Sequence, residues 1–139
     1  MKHYFVDTNV VLDYLAQRQP YWVKAAQPIQ AGADSLVRLY VSSLSFSTVL
    51  YVVRKQTNKV LARQLIARPE QLVTVVGVGP TEVQLAVAEP FANFEDGLQH
   101  YAAVAVPAIE AIVTRNPRDF APSVLPVLSP GQALSELAA

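Results

Sequence analysis

Cysteine is absent from all 139 residues, which excludes a disulfide-stapled scaffold and any thiolate metal site and fits a reducing compartment. Long apolar runs are missing too. None reaches the roughly 18 residues that a membrane span needs. Asp7 also interrupts the start of the chain, where a secretory leader needs its apolar region. The expectation is a soluble, cytoplasmic protein with no membrane partner. No internal repeat, linker or low-complexity stretch divides the sequence, so residues 1–139 read as a single domain. Charge is sparse, at 16% of residues, and 11 basic side chains balance 11 acidic ones. Net zero excludes a protein that coats nucleic acid by bulk electrostatics. What is plentiful is apolar: 52% of the residues are hydrophobic, enough at this length for a core without staples.

The distribution of charge says more than its sum. Arg54, Lys55, Lys59, Arg63 and Arg68 follow one another with no acid between them, whereas Pro69 to Val113 holds six acids and no Lys or Arg. The basic strip is either a solvated helix face or a phosphate-contact surface bordering an acidic, cation-binding site.

His3 to Val6 is a short apolar run ending at Asp7-Thr8-Asn9, after which Val10, Val11, Leu12, Tyr14 and Leu15 recur at helical spacing. A strand therefore feeds a helix, which Pro20 is expected to stop. A second helix is predicted from Tyr21 to about Ala33, with a kink or break at Pro28 and a turn at Gly32 and Asp34. Val37 to Val41 reads as a strand, and Ser42-Ser43 cap a helix carrying Phe46, Val49, Leu50 and Val53. Thr57 or Asn58 opens the next helix, which Pro69 is expected to close near Ala67. Leu72 to Val76 is β-branched and short, as a buried strand should be. A helix follows over about Glu82 to Ala88. Asn93 stands where an N-cap belongs, ahead of an apolar face of Leu98, Tyr101, Ala102 and Ala105. Ala108 to Val113 resembles a central strand in which Glu110 needs an exposed or paired position. It ends at the turn signal Thr114-Arg115-Asn116-Pro117, and Leu125 to Leu128 and Ser129-Pro130 start a last strand and helix. Strands alternating with helices predict an α/β fold with a mostly parallel sheet and helices on both faces.

In such folds ligands bind beyond the carboxyl ends of the strands. That rule selects Asp7 to Asn9, Ser42 to Thr48 and Thr114 to Asp119, with Glu95 and Asp96 brought to the same edge by the first turn of the helix from Asn93. Converging carboxylate and amide oxygens suit magnesium or manganese, and such ions activate water and steady phosphate charge. Taken singly, each residue has a plainer reading. Asp7 and Asn9 can cap a helix, Asp96 can favour its dipole, Asn116 can be a turn residue, and Asp13 reads as a solvated helix position. His3 and His100 have no partner at metal-ligand spacing.

Val6-Asp7-Thr8-Asn9-Val10-Val11-Leu12-Asp13, Val41-Ser42-Ser43-Leu44-Ser45-Phe46, Phe94-Glu95-Asp96-Gly97-Leu98-Gln99 and Ile112-Val113-Thr114-Arg115-Asn116-Pro117-Arg118-Asp119-Phe120 resemble, in this order and spacing, the motifs of PIN-domain proteins. The branch most resembled contains the toxin nucleases of bacterial toxin-antitoxin pairs. The resemblance implies a three-layer α/β/α domain, often a homodimer, that cleaves RNA with Mg2+ or Mn2+ and has a cognate antitoxin. It implies metal ligation by Asp7, Asp96 and Asn116, with Thr114 orienting substrate or water. Asn9 supports the first loop, Asp119 contributes from the following turn, and Arg54, Lys55, Lys59, Arg63 and Arg115 meet RNA phosphates.

One departure stands out. Where the family carries a glutamate on the helix after the second strand, this chain has Thr48, and no acid occurs between Asp34 and Glu70. A site short of one carboxylate binds a cation more weakly. Glu95 is the nearest substitute, but adjacent helical residues point about 100° apart, so it is expected to face away from the position of Asp96. The alternative to a nuclease is accordingly a degenerate PIN-like module that binds RNA or protein. An aspartyl phosphatase is disfavoured: Asn9 stands where its second acid belongs, and no lysine follows Lys59.

Overall fold

The computed structural model describes residues 1–89 and 91–138. Five short strands, β1 (Lys2–Val6), β2 (Val37–Ser42), β3 (Thr74–Val76), β4 (Ala111–Val113) and β5 (Val127–Leu128), form one sheet in the order β3-β2-β1-β4-β5. Every neighbouring pair is parallel, so the sheet is parallel throughout. Around it lie α1 (Thr8–Leu15), α2 (Trp22–Ala33), α3 (Ser43–Gln56), α4 (Lys59–Leu72), α5 (Pro80–Ala88), α6 (Phe94–Val104) and α7 (Pro130–Ala138), with a 3-10 turn at Pro117–Phe120. Among the described residues no helix is long and apolar enough to cross a membrane.

The two-residue period of the strands divides the core into two layers. Tyr4 and Val6 of β1, Leu39 and Val41 of β2 and Val113 of β4 meet α1, α2, α3, α4 and α7 on one face. Phe5, Tyr40 and Ile112, the residues between them, meet α6, Val76 and Phe120 on the other. Phe5 and Ile112 are fully buried, and side chains of that size contribute about 1.5–3 kcal/mol each on leaving water. The three-layer α/β/α arrangement expected from the alternation is what the chain adopts. On the second face α5 lies against α6, where a Cβ on Gly97 would come within 3.3 Å of Ala86 Cβ. Glycine there lets the two helices close up.

Several boundaries differ from the sequence expectation. α1 ends at Leu15, five residues before Pro20, because Gln17 takes up a left-handed conformation (φ 50°) and Arg18 N–H reaches back to the Asp13 carbonyl at 3.0 Å. Such a closure satisfies late carbonyls of the helix. α2 ends at Ala33 as expected, closed by the left-handed Ser35 (φ 59°) with Leu36 N–H on the Ala31 carbonyl at 2.9 Å, but Gly32 lies inside the helix and not in a turn. Pro28 and Pro69 break neither α2 nor α4. Both residues are buried, and packing offsets the one backbone bond that each proline removes. α4 therefore runs on through Leu72, and β3 begins only at Thr74. Glu110 lies just outside β4 and is paired, accepting His3 N–H at 2.9 Å.

The chain builds β1, β2 and β3 outward in one direction, then crosses to lay β4 on the other side of β1. The strand order reverses between β1 and β4, which in parallel sheets is where the crevice for a ligand opens. The residues that leave those two strands are Asp7 and Thr114.

Candidate active site

Asp7 stands where β1 gives way to α1. Its N–H continues the sheet ladder to the Val113 carbonyl at 2.9 Å, and its carbonyl accepts Val10 N–H at 3.0 Å to open the helix. Although Asp7 occupies the N-cap position, its side chain makes no capping bond. The carboxylate turns inward instead: Oδ1 accepts from Gln99 Nε2 at 2.9 Å, and Oδ2 accepts from Thr114 Oγ1 at 2.8 Å. Asp7 is 2% exposed. Burial pushes its carboxyl above the usual range, the Thr114 and Gln99 bonds oppose that, and the Glu95 carboxylate adds to it.

Thr114 is fixed in turn. Its N–H donates to the Leu128 carbonyl at 2.9 Å, and its hydroxyl accepts Asn116 N–H at 3.1 Å. Asn116 thus meets the site through its backbone and does not line the cleft described below. The next residue along from Thr114, Arg115, turns away from the cleft to pair with Asp13 at 2.8 Å and lies over the Tyr21 ring, 4.0 Å from its centroid. Asp13 is buried, not the solvated helix residue that the sequence suggested. A buried carboxylate requires a partner, and this one comes from the other end of the chain.

α6 is capped as its sequence predicts, with Asn93 Oδ1 accepting the N–H groups of Glu95 at 2.9 Å and Asp96 at 3.3 Å. The Asp96 carboxyl is pushed up to about 7, first by burial and then by Asp7, Asp119 and Glu95. Glu95 does not face away. Its Oε1 accepts from Thr8 Oγ1 at 3.3 Å, and Gln99, one turn further along α6, lines the same cleft. At a helix end, successive first-turn residues can reach one ligand, as the unpaired N–H groups there do.

Asp7, Asn9, Thr48, Glu95, Asp96 and Asp119 therefore line one cleft of about 140 Å³ with Thr8, Asn93 and Gln99. About 10–15 Å³ holds one water, so a hydrated ion fits. Gln99 and Ser45 were not singled out in the sequence. Gln99 is buried and bridges the junction, accepting Thr8 N–H and Thr8 Oγ1, both at 3.1 Å, while donating to Asp7. Ser45 Oγ lies 2.6 Å from Thr8 Oγ1. The signal for Gln99 was its place three residues after Asp96, on the same helix face.

Arg54, Lys59 and Arg63 line a separate cleft of about 170 Å³ with Leu50. Arg54 is six residues after Thr48 on α3, about 9 Å along the axis at the helical rise. Lys55 is set apart from them, its Nζ 4.5 Å from the centre of the Tyr51 ring.

The donor set of the acidic cleft is entirely oxygen, from Asp7, Glu95, Asp96 and Asp119 with Asn9 and Thr48, and that chemistry fits a hard divalent cation. After burial, the neighbouring carboxylates of Asp7, Asp119 and Glu95 are what raise the Asp96 carboxyl. Among the described residues no three such side chains are already gathered at ligating positions.

The family profile described as PIN domain matches residues 3–118. A comparison with curated proteins gives no significant match. Among solved structures, a chain of the VapBC2 structure from Rickettsia felis, bound to a DNA fragment from their promoter, is 15% identical with a TM-score of 0.64. The alignment covers 91% of this chain and 98% of that one. A Pyrobaculum aerophilum protein is 17% identical with a TM-score of 0.67, over 99% and 90% of the two chains. A chain of a toxin-antitoxin complex from Klebsiella pneumoniae is 19% identical with a TM-score of 0.65, over 91% and 96%. At these identities the likeness is one of fold.

Proposed function

Since the chain belongs to the PIN-domain family, we propose that it is a divalent-cation-dependent endoribonuclease, the toxin of a toxin-antitoxin pair. The observation that carries this reading is the buried Asp7 carboxylate, held by Gln99 and Thr114 at the point where the strand order reverses, in one cleft with Asp96, Asp119 and Glu95. Asp7, Asp96 and Asp119, with Asn9, would hold Mg2+ or Mn2+. The ion supplies water activation and stabilisation of phosphate charge when bound. Thr114 favours the ionised form of Asp7 and orients it, and Gln99 does the same from the other side. The cleft of Arg54, Lys59 and Arg63 gives an RNA backbone a place to lie beside the acidic one. A cognate antitoxin and a homodimer belong to the same reading. A similar fold occurs in the solved toxin-antitoxin complex from Klebsiella pneumoniae.

The test is incubation with labelled mixed-sequence RNA in EDTA, Mg2+ and Mn2+, alongside Asp7→Asn purified identically. Cleavage that needs the metal and disappears in the variant is the expected result. Equal cleavage by both proteins, or none in any metal, overturns the proposal. Thr48 favours a second reading, a degenerate module that binds RNA or protein without cutting it. In that case wild type is inert and Thr48→Glu creates cleavage.

A further inference from the structure

The geometry points to Glu95 as the carboxylate that stands in for the missing acid of α3, so that the cation is held by two consecutive residues of α6 together with Asp7. This inference rests on the reading of the cleft as a divalent-cation site. Three observations support it. The chain has no acid between Asp34 and Glu70, so α3 brings Thr48 to the cleft in place of a carboxylate. The Glu95 side chain reaches across to Thr8, 87 residues away in sequence and next to Asp7, although an acid in the first turn of α6 is free to extend into water. Asn93 fixes its backbone, with Oδ1 accepting Glu95 N–H at 2.9 Å.

The hold on its carboxylate is light. At 3.3 Å the bond from Thr8 is long against the usual ~2.7–2.8 Å for O–H···O. The Thr8 hydroxyl has one proton to give, and Gln99 Oε1 and Ser45 Oγ lie closer, at 3.1 and 2.6 Å. Glu95 is therefore placed beside Asp7 without being committed there, and it can exchange Thr8 for a cation at little cost. Its extra methylene compensates for its pointing in a different direction from Asp96.

Mn2+ titration calorimetry on wild type, Glu95→Gln, Asp7→Asn and the double variant Thr48→Glu/Glu95→Gln tests this, with circular dichroism in EDTA confirming that each protein is folded. Glu95→Gln is expected to weaken Mn2+ binding about tenfold or more, the scale on which even supporting groups matter. The double variant is expected to recover most of the loss, because its new carboxylate enters the same cleft from α3. Recovery separates a lost ligand from a merely disturbed helix end. Wild-type affinity in Glu95→Gln with binding lost in Asp7→Asn overturns the inference and leaves the cation site standing. No Mn2+ binding by wild type overturns both.

Discussion

Arg115 and Asp13 are joined across 102 residues of sequence, with Nε donating to Oδ2 at 2.8 Å and a terminal guanidinium nitrogen 3.4 Å from Oδ1. Asp13 is 1% exposed and Arg115 20%. The pair ties α1 to the loop that leaves β4, and Arg115 directly follows the threonine that holds Asp7. Removing one partner of a buried ion pair costs about 3–5 kcal/mol, because the other charge is left without compensation. Arg18, 3.7 Å from Asp13, softens the loss. Arg115→Met is therefore expected to lower unfolding free energy by about 3 kcal/mol in urea titrations. The RNA cleavage proposed above should fall further than the unfolded fraction explains, because the loop that carries Thr114 loosens.

Gln99 makes three hydrogen bonds from inside the core, two with Thr8 and one with Asp7. Gln99→Leu keeps the volume but leaves Thr8 N–H without its side-chain acceptor and Asp7 Oδ1 without its donor, while Thr114 still holds Oδ2. Each buried group so orphaned costs about 1–3 kcal/mol. Chemical denaturation should show a loss of that order, and Mn2+ affinity should fall with it as Asp7 loosens.

Asp96 makes stability depend on pH and, on the proposed reading of the cleft, on metal as well. Its carboxyl is raised from 3.8 to about 7. Below 3.8 it is protonated in both folded and unfolded chains; as pH rises toward 7 the unfolded chain releases its proton first, and the fold loses stability. In EDTA, the melting temperature of Asp96→Asn should gain on that of wild type between pH 5 and pH 8. Parallel curves would contradict it. In wild type, Mn2+ should raise the melting temperature more at pH 8 than at pH 6, because protons compete for the same oxygens.

His100 acts in the opposite sense. It is buried against Phe91, Nε2 accepts Val124 N–H at 3.1 Å, and Nδ1 has no partner among the described residues. Burial lowers its pKa from 6.5, so stability present above that value is lost as pH falls and the ring is forced to protonate. His100→Phe forfeits the bond from Val124, about 1 kcal/mol at pH 7. Between pH 7 and pH 5 its melting temperature should decline less than that of wild type.

What the sequence disclosed follows a physical division. Asp7, Asp96, Asp119 and Thr114 were legible because strand ends and a capped helix start fix where they lie, whatever the packing. The end of α1 was not. Its left-handed residue is Gln17, where the usual glycine would have been a signal, and the nearby Pro20 drew attention to the wrong position. Pro28 and Pro69 misled for a related reason, since burial of the rings decides whether a helix survives them. Glu95 was misjudged because the roughly 100° between neighbouring helical residues does not stop a long first-turn side chain from reaching a cleft that Asp96 also lines. Asp13 and Gln99 depend on partners about a hundred residues distant, Arg115 and Asp7, which no local pattern contains.

The place of β1 at the middle of the sheet has a consequence for how the protein is made. The strand carrying Asp7 emerges from the ribosome first, yet its second neighbour, β4, arrives only after residue 110. At about 5–20 residues per second, Asp7 waits roughly 5–20 s for the threonine that orients it. A nascent chain can pair β1, β2 and β3 in that interval but has neither Thr114 nor Asp119. The acidic cleft is therefore completed only after more than a hundred residues have been added beyond Asp7.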